Sequence, residues 1–245
     1  MRRLAVGLAL LAACDSADGP GDPDPVVTVT PVDPATSGTL RGSVAFKGTP
    51  PPNPRLAVGG SPECAVHHAG DVRDEIVLVK DGRLRNVFVY VKAGLEGRAF
   101  AWPKEPARIA NRACLYVPRV SGAQVHQPIE FVNEDPSDHN IHGYPSGGAF
   151  NRWLRGRGSS TSLKLRRPEV MIKLRCDIHP WMVGWLGVVA HPFFAVTGED
   201  GSFSFAGLPP GEYEVAAWHE KYGEKTLKAT LGPKGDVALD YVFSP

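Results

Sequence analysis

An all-β fold is the expectation for this chain, and three observations carry it. Its 245 residues include 27 Gly and 23 Pro, the residues that interrupt regular structure and make turns. Short runs rich in Val, Phe and Tyr recur between those turns, several with period-two alternation. No stretch shows the 3.6-residue apolar spacing of an amphipathic helix, and no repeat of solenoid length is present.

The first 13 residues join two arginines, Arg2 and Arg3, to an apolar run from Leu4 to Ala13. Such a segment reads as a secretory signal and is too short to span a bilayer. Leu11-Ala12-Ala13-Cys14 resembles the bacterial lipoprotein box, which implies lipidation of Cys14 as the mature N-terminus. An ordinary signal cleaved near Ala13 is the alternative. Residues 14–37 are rich in Pro, Asp, Gly and Thr with almost no large apolar side chains. They cannot bury enough surface to offset their ordering entropy and are expected to form a disordered tether. Anchor and tether together place the body at a bacterial cell envelope, facing the periplasm or exterior, where disulfides persist. The net charge of +1 gives no electrostatic case for nucleic acid.

Strands are expected from residue 38. Residues 39–46 (TLRGSVAF) alternate and stop at Lys47-Gly48-Thr49-Pro50. Residues 75–80 and 87–91 (VFVYV) follow, with Asp81-Gly82 as a turn between them. A second set begins near residue 105 with 114–117 and 129–133. Residues 146–161, rich in Gly, Ser and Arg, read as a surface loop. In 170–176, Val170, Ile172, Leu174 and Cys176 share one face, and Lys173 and Arg175 the other. The Cys176 thiol is therefore expected to point into the core. Residues 183–190 close this set, and 202–205 and 213–218 form a third.

The chemistry concentrates in Cys176-Asp177-Ile178-His179-Pro180-Trp181-Met182, with His139 upstream in Asp138-His139-Asn140-Ile141-His142. One thiolate, two imidazoles and one thioether are the donors of a blue-copper site, with the thioether as a weak axial ligand. Zinc would not need the methionine. His142 lies three positions from His139, on the opposite side of a continuous strand, and is read as a non-ligand.

These motifs, with Ile129-Glu130-Phe131-Val132-Asn133, resemble the cupredoxins, the blue copper family, and among them the amicyanin-like and plastocyanin-like members. The likeness covers roughly residues 105–192. It implies a Greek-key β-sandwich with one copper ion at one end, held by His139, Cys176, His179 and Met182. It also implies that Asn140 ties the ligand loops together. Pro180 would stiffen the loop. Residues 197–215 resemble the carboxypeptidase regulatory-like, transthyretin-like β-sandwiches, whose first strand resembles Gly42-Ser43-Val44. The implied arrangement is a copper domain (105–192) inserted between residues 38–104 and 193–245 of a second sandwich. A linear order of domains is the alternative.

Cys64 and Cys114 are left over and are expected to form a disulfide. A second metal site from Cys64, His67 and His68 is the alternative. Trp181, Trp185 and Phe150 are candidates for an apolar docking patch around His179, or else core. Trp218-His219-Glu220 is read as packing or solvent-facing rather than ligating. No acid–base or nucleophile constellation is evident, so the expectation is a non-enzyme. It would transfer single electrons between a redox donor and an acceptor. Copper storage or delivery, and envelope adhesion or scaffolding, are the rival classes.

Overall fold

The computed structural model describes residues 26–68, 70 and 72–245. The signal segment, Cys14 and the first part of the tether lie outside them. Among the described residues the fold is all-β, with several sheets and one short helix, Pro62–Ala65, after a 3-10 turn at Val58–Gly60. No helix among the described residues is long and apolar enough to cross a membrane.

One pair of sheets is built from both ends of the chain. Gly38–Phe46 runs antiparallel to Ser202–Leu208 and parallel to Asp236–Ala238 and Tyr241–Phe243. It also touches Arg83–Leu84 of a hairpin with Val79–Lys80. The hairpin turns at Asp81-Gly82, both at positive φ (50° and 71°), the primed geometry that matches strand twist. The facing sheet has the order Phe194–Val196, Phe88–Ala93, Gly211–His219, Gly223–Leu231. Leu40, Val44, Val89, Val91, Phe203 and Tyr241 meet in the core between them.

Residues 107–189 form a second pair of sheets. Five strands run in the order Phe150–Leu154, His139–Gly143, Glu169–Arg175, Val183–Val189, Val120–Gln124. Four run in the order Ser160–Lys164, Pro128–Asn133, Ala107–Arg112, Leu115–Val117. Ile109, Phe131, Ile141, Leu154, Ile172 and Leu186 fill the space between.

The two sandwiches pack along an apolar seam. In Phe88–Ala93, Val89 and Val91 face the first core while Phe88 and Tyr90 face the seam, which is why four successive residues there are buried. Gly122 and Gly187 let Phe88 approach closely, since an added Cβ would meet its ring at 2.7 and 2.5 Å. Trp185 and Trp218 lie against each other at 5.1 Å. Beside them Arg119 donates to both carboxylate oxygens of Glu220 and to Asp74.

Two expectations need correction. Residues 146–161 are not all loop, because Phe150–Leu154 is a strand and Ser160–Lys164 begins another. Gly and Ser flank this strand and hid its alternation, in which buried Phe150 and Leu154 bracket exposed Asn151 and Trp153. The expected tether is bound to the body from Thr30 onward. Thr30 exchanges hydrogen bonds with Ala99, and the Thr36 carbonyl accepts from Lys234. Backbone hydrogen bonds hold it, together with Val32, which packs against the first core. Of the two readings of Trp181, Trp185 and Phe150, the structure favours core over the docking patch. Phe150 is buried in the core, Trp185 lies in the seam, and Trp181 donates to the Cys114 carbonyl.

Candidate metal centre

Three strand ends place the donors. His139 begins the strand His139–Gly143, registered by Leu154 opposite His139 and Leu174 opposite Gly143. Cys176 directly follows Glu169–Arg175, and Met182 directly precedes Val183–Val189. The loop between them is closed by the Cys176 amide on the Met182 carbonyl (3.3 Å) and the Met182 amide on the His179 carbonyl (2.9 Å). The alternation expected for 170–176 holds in its second half, with Ile172, Leu174 and Cys176 buried and Lys173 and Arg175 exposed.

His139, Cys176 and His179 each offer one ligand atom within 4.8 Å of the others, and all three are buried. The two Nδ1 atoms lie 3.0 Å apart, and Cys176 Sγ is 3.9 Å from His179 Nδ1. Met182 is fully buried in the same apolar cluster as Cys176. His142 stands outside the group, its Nδ1 on the Asp177 carboxylate and the Tyr144 hydroxyl. Pro180 is exposed within the loop.

The surroundings orient these donors. Asn140 bridges the two segments. Its Oδ1 accepts from the Asp177 amide (2.7 Å) and the Cys176 thiol (3.3 Å), and its Nδ2 donates to Asp177 Oδ2 (2.8 Å). Asp135 Oδ2 meets His139 Nε2 at 3.0 Å, which leaves Nδ1 facing the site. The same carboxylate accepts the amides of Ala113 and Cys114, two turn residues at positive φ (53° and 54°). It thereby holds a backbone conformation that non-glycine residues seldom adopt.

The electrostatics favour a thiolate. Burial pushes the Cys176 thiol up, but hydrogen bonds from His139 and His179 outweigh it and bring the pKa down to about 6. Burial pulls His139 down, yet Asp135 and Cys176 raise it above the ordinary imidazole value. Burial raises Asp135, and His139 with the two turn amides lowers it below the usual carboxylate range. A buried thiolate with two imidazoles and an adjacent buried thioether suits copper, and Met182 would be superfluous for zinc.

Cys64 and Cys114 are disulfide-bonded, which removes Cys64 from any site with His67 and His68. His68 Nε2 instead meets the Ala113 carbonyl at 2.7 Å. Sequence reasoning did not find Asp135 or Asp177. The available signals were an acid four residues before His139 and an acid directly after Cys176.

No family model matches the chain, and no curated protein matches it. Among solved structures it is similar to an amicyanin variant in its oxidised state, at 17% identity and a TM-score of 0.32, covering 34% of this chain and 81% of that one. A Cu-containing nitrite reductase from Thermus scotoductus SA-01 aligns at 24% identity and a TM-score of 0.32, covering 39% of this chain and 24% of the enzyme. A purple cupredoxin from Nitrosopumilus maritimus aligns at 26% identity and a TM-score of 0.29, covering 34% of this chain and 98% of that one.

Proposed function

We propose that this chain is a type 1 copper protein that carries single electrons between a redox donor and an acceptor. We propose further that lipid on Cys14 tethers it at a bacterial envelope, and that the first sandwich, built from residues 38–93 and 194–243, is transthyretin-like. The observation that carries the function is the buried convergence of one thiol and two imidazole nitrogens within 4.8 Å, braced from behind by Asp135 and Asn140.

Copper bound there supplies a one-electron couple. The protein's share is to keep the donors still. His139 is fixed by Asp135, Cys176 by Asn140, and His179 and Met182 by backbone bonds within their own loop. Ligands that do not move lose little to reorganisation when the charge changes. Burial of Cys176 and His139 would keep water from a bound copper ion, and Cys176 would be the thiolate contact through which an electron couples to the chain.

The test is the visible spectrum of the Cu(II)-loaded protein beside Cys176→Ser. The expected result is an intense band at roughly 600 nm, lost in the variant. A colourless or weakly coloured protein overturns the reading and favours copper storage or delivery.

A further inference from the structure

We propose that electrons cross the outer face of the five-stranded sheet, through Cys176, Asp177, His142 and Tyr144, to an acidic redox protein docked beside Trp153, Lys173 and Arg175. This rests on the copper reading and adds the route and the partner's chemistry.

The relay consists of short contacts. Cys176 is bonded covalently to Asp177 and contacts Asn140 Oδ1 at 3.3 Å. Asn140 Nδ2 donates to Asp177 Oδ2 at 2.8 Å. Asp177 Oδ1 meets His142 Nδ1 at 3.1 Å, and the Tyr144 hydroxyl meets the same nitrogen at 3.1 Å. The His142 and Tyr144 rings stack at 4.3 Å. Tyr144 is 44% exposed, so the relay reaches solvent. Asn151, on the neighbouring strand, also donates to Asp177 and stiffens it.

The surface around the relay is aromatic and basic. Trp153 is 57% exposed, opposite Asn140 in the sheet. Arg175 lies opposite His142, and Lys173 is exposed on the same face. Arg155 and Arg157 are exposed just after Trp153. Between residues 139 and 189 the only acids are Glu169 and Asp177. Glu169 is taken by Ser146, and Asp177 is the relay itself. An exposed aromatic ringed by cations fits an acidic partner.

The other way to the centre is screened. His179 is only 5% exposed. One of its ring nitrogens lies within 4.8 Å of both disulfide sulfurs, and Trp181 stands at 5.2 Å. The recess beside it is lined by Ser61, Glu63, Ser137 and Asp138, so its charge repels an acidic partner. The two approaches differ in sign, and only the relay face attracts an acidic protein.

Two measurements on the full chain test this. Hexacyanochromate(III), a redox-inert trianion, is added to the metal-free protein, and amide broadening is mapped by NMR. Broadening centred on 142–144, 153 and 173–175, abolished in Lys173→Glu/Arg175→Glu, is expected. Broadening centred elsewhere overturns the docking face whether or not copper binds. Stopped-flow oxidation of the copper(I) protein by hexacyanoferrate(III) then reads the route, one electron passing to iron with no proton transferred. Lys173→Glu/Arg175→Glu should be about tenfold slower at low salt. His142→Phe should be slower several-fold, with an unchanged broadening map. Glu63→Lys, beside His179, should stay within about twofold of the parent. A Glu63→Lys protein about tenfold faster, with His142→Phe unaffected, would assign the route to His179 and sink the proposal. Loss of the roughly 600 nm band in the parent would instead reject the copper reading itself.

Discussion

Asp135 is a single carboxylate with three duties: it meets His139 Nε2 and accepts two turn amides. Asp135→Asn keeps the shape but takes away the charge that raises His139. Copper affinity is expected to fall about 10–100-fold, read by competition with a chelator. Unchanged affinity would show that the turn alone orients the ring. His219 makes a different kind of prediction. It is fully buried, accepts the Lys221 amide at Nδ1 and stacks on Tyr222. Burial depresses its pKa to about 4, against about 6.5 for a free imidazole. Between those values the unfolded chain binds a proton that the folded chain does not, so stability falls as pH drops through that window. Above about pH 6.5 the group contributes no pH dependence. The loss by pH 4 is about 3 kcal/mol. His191, also depressed by burial, acts in the same direction. Urea unfolding from pH 7.5 to 4 should show a shallower slope for His219→Phe than for the parent. Equal slopes would remove His219 from the account.

At the scale of elements, the disulfide joins the Pro62–Ala65 turn to the Arg112–Leu115 hairpin turn across 50 residues. Closing a loop of that length stabilises by roughly 4 kcal/mol in the chain-entropy model. Cys64→Ser/Cys114→Ser should lose a comparable amount and expose residues 55–75 to protease first. Simultaneous cleavage throughout the chain would argue that this segment is held by other means. The same elements show what can be read before folding. Ile172, Leu174 and Cys176 alternate with exposed cations, so period two was enough to aim the thiol inward. The run 87–91 was readable as a strand, but not its two environments, because Val89 and Val91 serve one core while Phe88 and Tyr90 serve the seam. Phe150–Leu154 was missed because its pattern is only five residues long and Gly and Ser surround it. Asp135 was missed although His139 is only four residues on, because an acid at that spacing is common, and its turn amides at 113 and 114 and the Asp177 partners Asn140 and His142 are too distant in sequence for a local pattern to encode.

Across the whole molecule, strands from residues 38–93 pair with those of 194–243, while the strands of 107–189 pair among themselves. The seam between the two sandwiches carries a buried charge cluster, Arg119 with Asp74 and Glu220, and Trp185 Nε1 donates to the same Glu220. Arg119 is buried, so its removal leaves two carboxylates without their cation. Arg119→Met is expected to cost about 3–5 kcal/mol by urea denaturation. Arg119→Met/Glu220→Leu should recover part of that loss, because it leaves one orphan carboxylate, Asp74, instead of two. A double variant no better than the single one would mean that packing, not charge, dominates the seam.

The cross-link has one more consequence, which concerns metal choice. Cys64 and Cys114 lie within 4.8 Å of a His179 nitrogen, and Cys114 within 4.8 Å of His139 and Asp135. Were these cysteines reduced, two further thiols would stand beside the same imidazoles, in groups separate from Cys176, and thiols with imidazoles are donors that zinc takes. Oxidation removes these two and leaves Cys176 as the sole thiolate. The expected outcome is that zinc binds the reduced chain more tightly than the oxidised one in a competition titration. Equal zinc affinity in both forms would limit the cross-link to a mechanical role.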